Sequence, residues 1–333
     1  MLSFDVIIAL TENWQIHLDA ALVLFEQIFQ YHSTNQISLN ISAILDQMDH
    51  SPFAIVSSNI SLWNADQAAF RFFSAILLVN DIISSTSLER PPRLQKYHPH
   101  LLTNDLIPDQ EAPLQLEDFV GCQNWALLLV GEIAALDAWK KDMKKGGTLS
   151  MVQLVQRASV IEQGLHDGLA SLNLCDSRQR RNPKPTGPIE VLAQCRLYDH
   201  NPCAPDGCIS LTRIWAYAAR TYLLIVVSGW QPANPEVRNC VAGTIKLFAE
   251  LSSPGWLRTL AWPFCVTGCL AEEGQELVFR EMVSSMGALQ KFGTMQKALR
   301  IMENVWRHRA QIDADSWDLA ACLRGLGQRV LLV

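Results

Sequence analysis

Apolar side chains recur along this chain at steps of three and four residues, the spacing that gathers them on one face of an α-helix. Trp14, Leu18, Leu22, Phe25, Ile28 and Phe29 set the pattern in the first such segment, and strand-type alternation is missing from it. The same spacing returns in Phe70–Ile83, where Asp81 is the one charged residue after Arg71, so that helix is predicted to be enclosed on most sides. Pro91, Pro92, Pro99, Pro108 and Pro113 then mark a loop up to Glu117 with at most short helical pieces. From Phe119 to Met143, the positions Cys122, Trp125, Leu129, Ile133, Leu136 and Trp139 or Lys140 step along another helix. It ends in Lys140, Lys141, Lys144 and Lys145 ahead of Gly146-Gly147, cations in a last turn followed by glycine, which is a helix stop.

The next helix is predicted from Val152 to about Leu172. Beyond it, Asp176–Pro188 holds four Arg or Lys residues in the run Arg178–Lys184 and three prolines, the composition of a solvated linker. Helices resume over Leu211–Gly229 and Asn234–Leu251, the second opened by Asn-Pro, which supplies an N-cap and a first-turn proline. Two more follow Pro254, and a last one starts at about Ser316. No internal repeat and no sustained strand alternation is evident. The reading is all-α: roughly ten to twelve helices packed by ridges and grooves, in a single domain over residues 1–333 with loops near 86–117 and 176–188.

Composition changes this picture in two ways. Of 333 residues 49% are hydrophobic and only 18% charged, so a large core lies under a thin polar shell. Acidic residues outnumber basic ones, 33 to 27, and the net charge of −6 excludes binding to nucleic acid through overall charge. The nine cysteines are spread from Cys122 to Cys322; in a chain of this length they read as free, buried thiols. With no secretory leader and no apolar run of the ~20 residues that a membrane span needs, the expectation is a soluble chain of a reducing compartment, without membrane contact.

Motifs for catalysis or cofactor binding are absent: there is no Gly-rich phosphate loop, no Gly-x-Ser-x-Gly elbow and no His-Glu-x-x-His helix. His200, Cys203 and Cys208 could be drawn as three metal ligands, but no second matching cysteine pair completes a zinc site. Cys265 and Cys269 share a helix face, where apolar neighbours favour packing over metal or redox work. His98 and His100 flank Pro99 and read as an exposed turn, and His17 lies beside the apolar face of the first helix. A carboxylate such as Asp81 in an apolar helix must find donors, and a structural hydrogen bond is the favoured reading. The run Arg178–Lys184 could serve nuclear import, although prolines and Asn182 interrupt it. Met295, Leu299, Met302 and Trp306 form a stripe read as core. No catalytic, cofactor-binding or metal residue is assigned, and no cofactor is expected.

The C-terminal third carries more specific information. Leu260-Ala-Trp-Pro-Phe-Cys-Val-Thr-Gly-Cys-Leu-Ala, then Phe279-Arg280, Gly293-Thr294, Met302-Glu303-Asn304-Val305-Trp306 and Asp315-Ser316-Trp317-Asp318 together resemble the fungal-specific transcription factor domain, the helical regulatory region that follows a binuclear zinc-cluster DNA-binding module. Within that family the pattern is most similar to regulators of fruiting-body development in filamentous ascomycetes. The match extends through Gly121-Cys122, Trp125–Trp139 and Trp215–Val227, and more loosely elsewhere. It implies structural roles for Trp125, Trp262, Pro263, Gly268, Glu303, Trp306 and Trp317.

The family's six closely spaced N-terminal cysteines are not in this sequence, and Leu2–Asn13 reads as starting inside the regulatory region, so direct DNA contact by this chain is not expected. The resemblance implies transcription regulation in fungal development or secondary metabolism, in the nucleus (the alternative being the cytoplasm). It implies action through protein association, as a homodimer or with a full-length regulator, and sensing of a small apolar metabolite. Two other readings stand beside it. One is a cofactor-free cyclase or isomerase on the same scaffold, for which Asp81 or Tyr222 facing a cavity would be the telling feature. The other is a purely structural oligomerisation subunit.

Overall fold

The computed structural model describes residues 13–33, 64–103, 112–181 and 205–333 apart from 292, 315 and 326, together with Ile41, Ile44, Leu45 and Met48. Among these residues there are α-helices and 3₁₀ turns and no strand; the fold class is all-α, as the periodicity predicts. The helices are α1 (Trp14–Ser33), α2 (Ala65–Leu88), α3 (His98–Leu101), α4 (Glu117–Val120), α5 (Asn124–Lys145), α6 (Met151–Arg181), α7 (Pro205–Ser228), α8 (Pro235–Ala249), α9 (Ala261–Cys269), α10 (Glu276–Ser285), α11 (Met295–His308) and α12 (Leu319–Arg324). Helix α7 is the hub, packed on α5, α6, α8 and α9, while α2 packs on α1, α5 and α12.

Local chemistry explains the boundaries. Asn64 caps α2 by accepting from the Gln67 N–H at 2.8 Å, and Gln67 answers by accepting from the Asn64 N–H at 2.9 Å, a reciprocal capping box. Asn234 caps α8 with Pro235 in its first turn, as its Asn-Pro pair predicts. The helix expected to run unbroken from Phe119 is two helices. Gly121, at φ 72°, ends α4 in the left-handed region, and α5 restarts at Asn124. The buried Asn124 amide then stitches the preceding loop: it accepts from the Leu116 N–H at 2.8 Å and donates to the carbonyls of Leu102 and Leu114 at 2.9 and 2.7 Å.

Three further expectations need correction. Helix α6 runs on to Arg181, so the first part of the supposed linker Asp176–Pro188 is helical; the remainder, like His200, Cys203 and Leu2–Glu12, lies outside the described residues. His98 is buried, 4% exposed, rather than on an open turn, because the short helix α3 folds it back near Gly131 of α5. The last helix starts at Leu319, not at about Ser316, since Asp318 is the residue that caps it, accepting from the Ala321 N–H at 2.7 Å.

Three buried hydroxyls of α2 are satisfied within the helix: Ser84, Ser85 and Thr86 donate to the carbonyls of Asp81, Ile82 and Ile83. By length and composition alone α2 could cross a bilayer; here most of it is buried against other protein. At its centre Trp262 of α9, fully buried, donates its indole N–H to Thr86 Oγ1 at 3.1 Å, stacks on Trp215 of α7 (ring centroids 5.5 Å, planes 7° apart) and meets Tyr222 edge-on. The ends of the described chain are clasped: Trp14 of α1 donates its indole N–H to the Arg329 carbonyl at 3.0 Å. Met295, Met302 and Trp306 are buried in the core and Leu299 packs against it, as the stripe predicts.

Glycine sets how near α6 comes to α5. A Cβ at Gly168 would lie 2.4 Å from the ring of Trp125, whose N–H is held by Gln123. Alanine at a helical glycine ordinarily gains about 1 kcal/mol, but displacing an anchored indole costs about 1–3 kcal/mol. Gly168→Ala is therefore expected to be net destabilising, read as a lower urea midpoint, and Gly168→Ala combined with Trp125→Leu should recover much of the loss.

Candidate functional site

Two cavities flank the Trp262–Trp215–Tyr222 stack. The first, about 320 Å³, lies between α2, α4, α7 and the 3₁₀ segment Pro254–Leu260, and is bordered by Ile76, Asn80, Phe119, Trp215, Trp256 and Arg258 among others. Its walls are mainly aromatic and branched apolar. Phe72 and Phe119 stand with ring centroids 6.1 Å apart, and Phe72 is 40% exposed, so the cavity is open to solvent on that side. Arg258 is the single charged side chain among the lining residues. The indole N–H of Trp215 is buried and without an acceptor. Cavities of this size and character, lined by apolar groups with a few polar ones, are where small molecules bind.

The second cavity, about 410 Å³, lies between the ends of α5 and α7 and the turn before α12, and here Tyr222 and Trp317 come together. Beneath it sits an ion cluster. The Lys141 ammonium is 2.8 Å from Asp137, 3.0 Å from Glu89 and 2.6 Å from Asp318, and Arg324 also reaches Glu89. Burial works against the Lys141 charge, yet the facing carboxylates of Asp137 and Asp318 outweigh it and hold its pKa above the usual lysine value. Burial would also raise Glu89, but Lys141 and Arg324 bring it below the ordinary carboxylate range. Asp137 is raised by burial despite its lysine partner. Glu89 adopts a left-handed backbone (φ 56°) to close α2, a conformation that costs a non-glycine residue about 1–2 kcal/mol and that aims its carboxylate at both cations. The Tyr222 hydroxyl is buried beside the cluster, and burial, with Asp137 and Asp318 nearby, pushes its pKa well above the ordinary phenol value.

The other singled-out residues fall as follows. Asp81 lines neither cavity; its two oxygens accept from the backbone N–H groups of Arg93 and Leu94 at 3.1 and 2.7 Å, pinning the loop after α2. Trp306 donates its indole N–H to the Gly268 carbonyl at 2.7 Å, and Met302 fills the space where Gly268 has no Cβ. Glu303 holds Arg280 at 3.0 Å, and the guanidinium lies 4.9 Å over the Trp306 ring. Pro263 is buried in the first turn of α9. Cys265 and Cys269 place their sulfurs 3.9 Å apart in the core. His17 is exposed. Among the described residues no cluster of His, Cys, Asp or Glu could hold a metal ion. Sequence reasoning missed Arg258, Asn124 and the Lys141 cluster. The spacing of Asp137 and Lys141, four apart on one helix face, was the available signal for the last.

Two outcomes follow from these charges. Lys141→Met leaves Asp137 without its ion partner and is expected to lower unfolding free energy by about 3 kcal/mol, the low end for an orphaned buried charge because water partly reaches this one; urea unfolding measures it. Burial raises the Asp81 pKa to about 6 even though the N–H groups of Leu94 and Arg93 pull it down. A carboxyl raised on folding adds stability that is complete below its unfolded pKa and is lost as pH rises through the folded value. The stability of the native chain relative to Asp81→Asn should therefore fall by about 3 kcal/mol between roughly pH 4 and 7, seen in urea midpoints across that window.

Comparison with known proteins adds the family. The profile of the fungal specific transcription factor domain matches residues 1–333. Transcription factor dibT of Pestalotiopsis microspora is 41% identical over 337 residues, covering 100% of this chain and 52% of that protein. The trichothecene biosynthesis transcription regulator TRI10 of Fusarium sporotrichioides is 32% identical over 308 residues (91% of this chain, 64% of the regulator), and the ustiloxin B cluster transcription factor ustR of Aspergillus flavus is 28% identical over 306 residues (90% and 48%). The chain thus spans about half to two thirds of the length of these relatives. No solved structure matches it. With a family profile matched from residue 1 to residue 333, the chain belongs to the fungal-specific transcription factor domain family.

Proposed function

We propose that this chain is the regulatory region of a transcription regulator in a filamentous fungus, working in the nucleus as one domain through association with other proteins and through a small molecule held between its helices. The observation that carries the reading is the family match over residues 1–333, joined to relatives whose names are those of transcription factors and regulators. Of the two settings the resemblance implies, development and secondary metabolism, the relatives named for trichothecene biosynthesis and the ustiloxin B cluster favour the second. The motif tryptophans support a packing role: Trp262 and Trp306 spend their polar atoms on Thr86 and on the Gly268 carbonyl. For the protein partner, a homodimer mate or a full-length regulator, support comes from α6, which leaves Met151, Val152, Val155 and Val160 exposed.

The enzyme reading has one observation in its favour, Tyr222 bordering the second cavity. Its raised pKa argues against it, because a phenol held neutral well beyond its ordinary value is poorly matched to proton transfer near pH 7.

The regulatory reading is tested by fusing the chain to an unrelated DNA-binding module in a filamentous fungus. The expected result is nuclear accumulation and a change of about fivefold or more in a reporter, an order of magnitude typical of coupling energies near 1 kcal/mol. Exclusion from the nucleus together with an unchanged reporter would remove it.

A further inference from the structure

Within that proposed sensing role, the first cavity carries enough chemistry to name a ligand class. Its walls offer flat, apolar surface: Phe119, Trp215 and Trp256 face a space that one ring system can fill, and Phe72 stands where the cavity meets solvent. Against these walls lies one cation. Arg258 is half-buried, and among the described residues it has no ion-pair or hydrogen-bond partner. Arg90, Arg93, Arg280, Arg309 and Arg324 each reach a carboxylate, whereas Arg258 does not.

The charge count selects among anions. A guanidinium offers a planar fork that matches a carboxylate with two parallel hydrogen bonds. A phosphate would bring a second negative charge into apolar surroundings where the lining holds no second cation, and an unpaired charge is costly there. A neutral ring would leave Arg258 unanswered. We propose that the cavity between α2, α4, α7 and residues 254–260 binds a planar aromatic monocarboxylate, with Arg258 meeting the carboxylate and the aromatic walls taking the ring. This rests on the small-molecule part of the reading above and adds its chemistry.

Calorimetric titration of the full chain with 2-naphthoate, and with the neutral 2-naphthylmethanol as control, tests the assignment. Naphthoate is expected to bind saturably. Arg258→Met should weaken it about tenfold or more, the scale of a lost charge-assisted pair, while changing the alcohol's affinity less than about twofold. Because Arg258 has no ion-pair or hydrogen-bond partner among the described residues, that variant should keep the native thermal midpoint. Arg258→Lys, which retains the charge but not the fork, should fall between. Failure of naphthoate to bind saturably, an affinity unmoved by Arg258→Met, or an equal loss for acid and alcohol would each overturn the proposal. The reporter fusion separates the two levels. Naphthoate binding that depends on Arg258 without any reporter response removes the sensing role and leaves the site; a reporter response without such binding does the reverse.

Discussion

One ammonium group organises this fold. Lys141 belongs to α5, yet its three carboxylate partners come from three places: Asp137 from its own helix, Glu89 from the last cap of α2 and Asp318 from the first cap of α12. Those helices meet correctly only when all three oxygens arrive at one point. Such convergence is a constraint on geometry more than a source of stability, because burying charge returns little net energy. Glu89 illustrates the trade. A glycine would adopt its left-handed backbone without strain, but only a carboxylate can tie α2 to both Lys141 and Arg324. Asp318 is likewise shared, one oxygen capping α12 and the other facing Lys141.

Above this polar node the structure is aromatic, and the two layers meet at Tyr222. The ring joins the Trp262 and Trp215 stack while the hydroxyl stands over the ion cluster. Large flat side chains cannot tile a helical interior without gaps, and cavities remain on either side of the stack. An occupant of either cavity would bear on α7, which touches four neighbouring helices at once.

The sequence made the helices legible because their signals are local: apolar spacing, an Asn-Pro cap, cations before glycine. It made the boundaries less so. Gly121 split a helix whose periodicity runs on, and α6 continued to Arg181 through a basic stretch that composition marks as linker. Single positions that depend on distant partners were the hardest. His98 reads as exposed from its prolines and is buried because α3 folds it back near α5. Asp81 could be singled out as a carboxylate in need of donors, but the donors, two backbone N–H groups of the following loop, are a matter of chain path. Arg258 carried no signal at all, since an unpaired arginine in a polar turn is ordinary until the walls around it are known.

The clasp between Trp14 and the Arg329 carbonyl has a meaning for how the molecule is made. The helix waits, with its apolar face uncovered, for an acceptor 315 residues downstream, so the contact closes only after that whole stretch has been translated. Contacts of such long sequence separation slow folding and lengthen the time during which sticky intermediates exist. Chaperone dependence, rather than weak native stability, is the expected bottleneck when this polypeptide is produced in a foreign host.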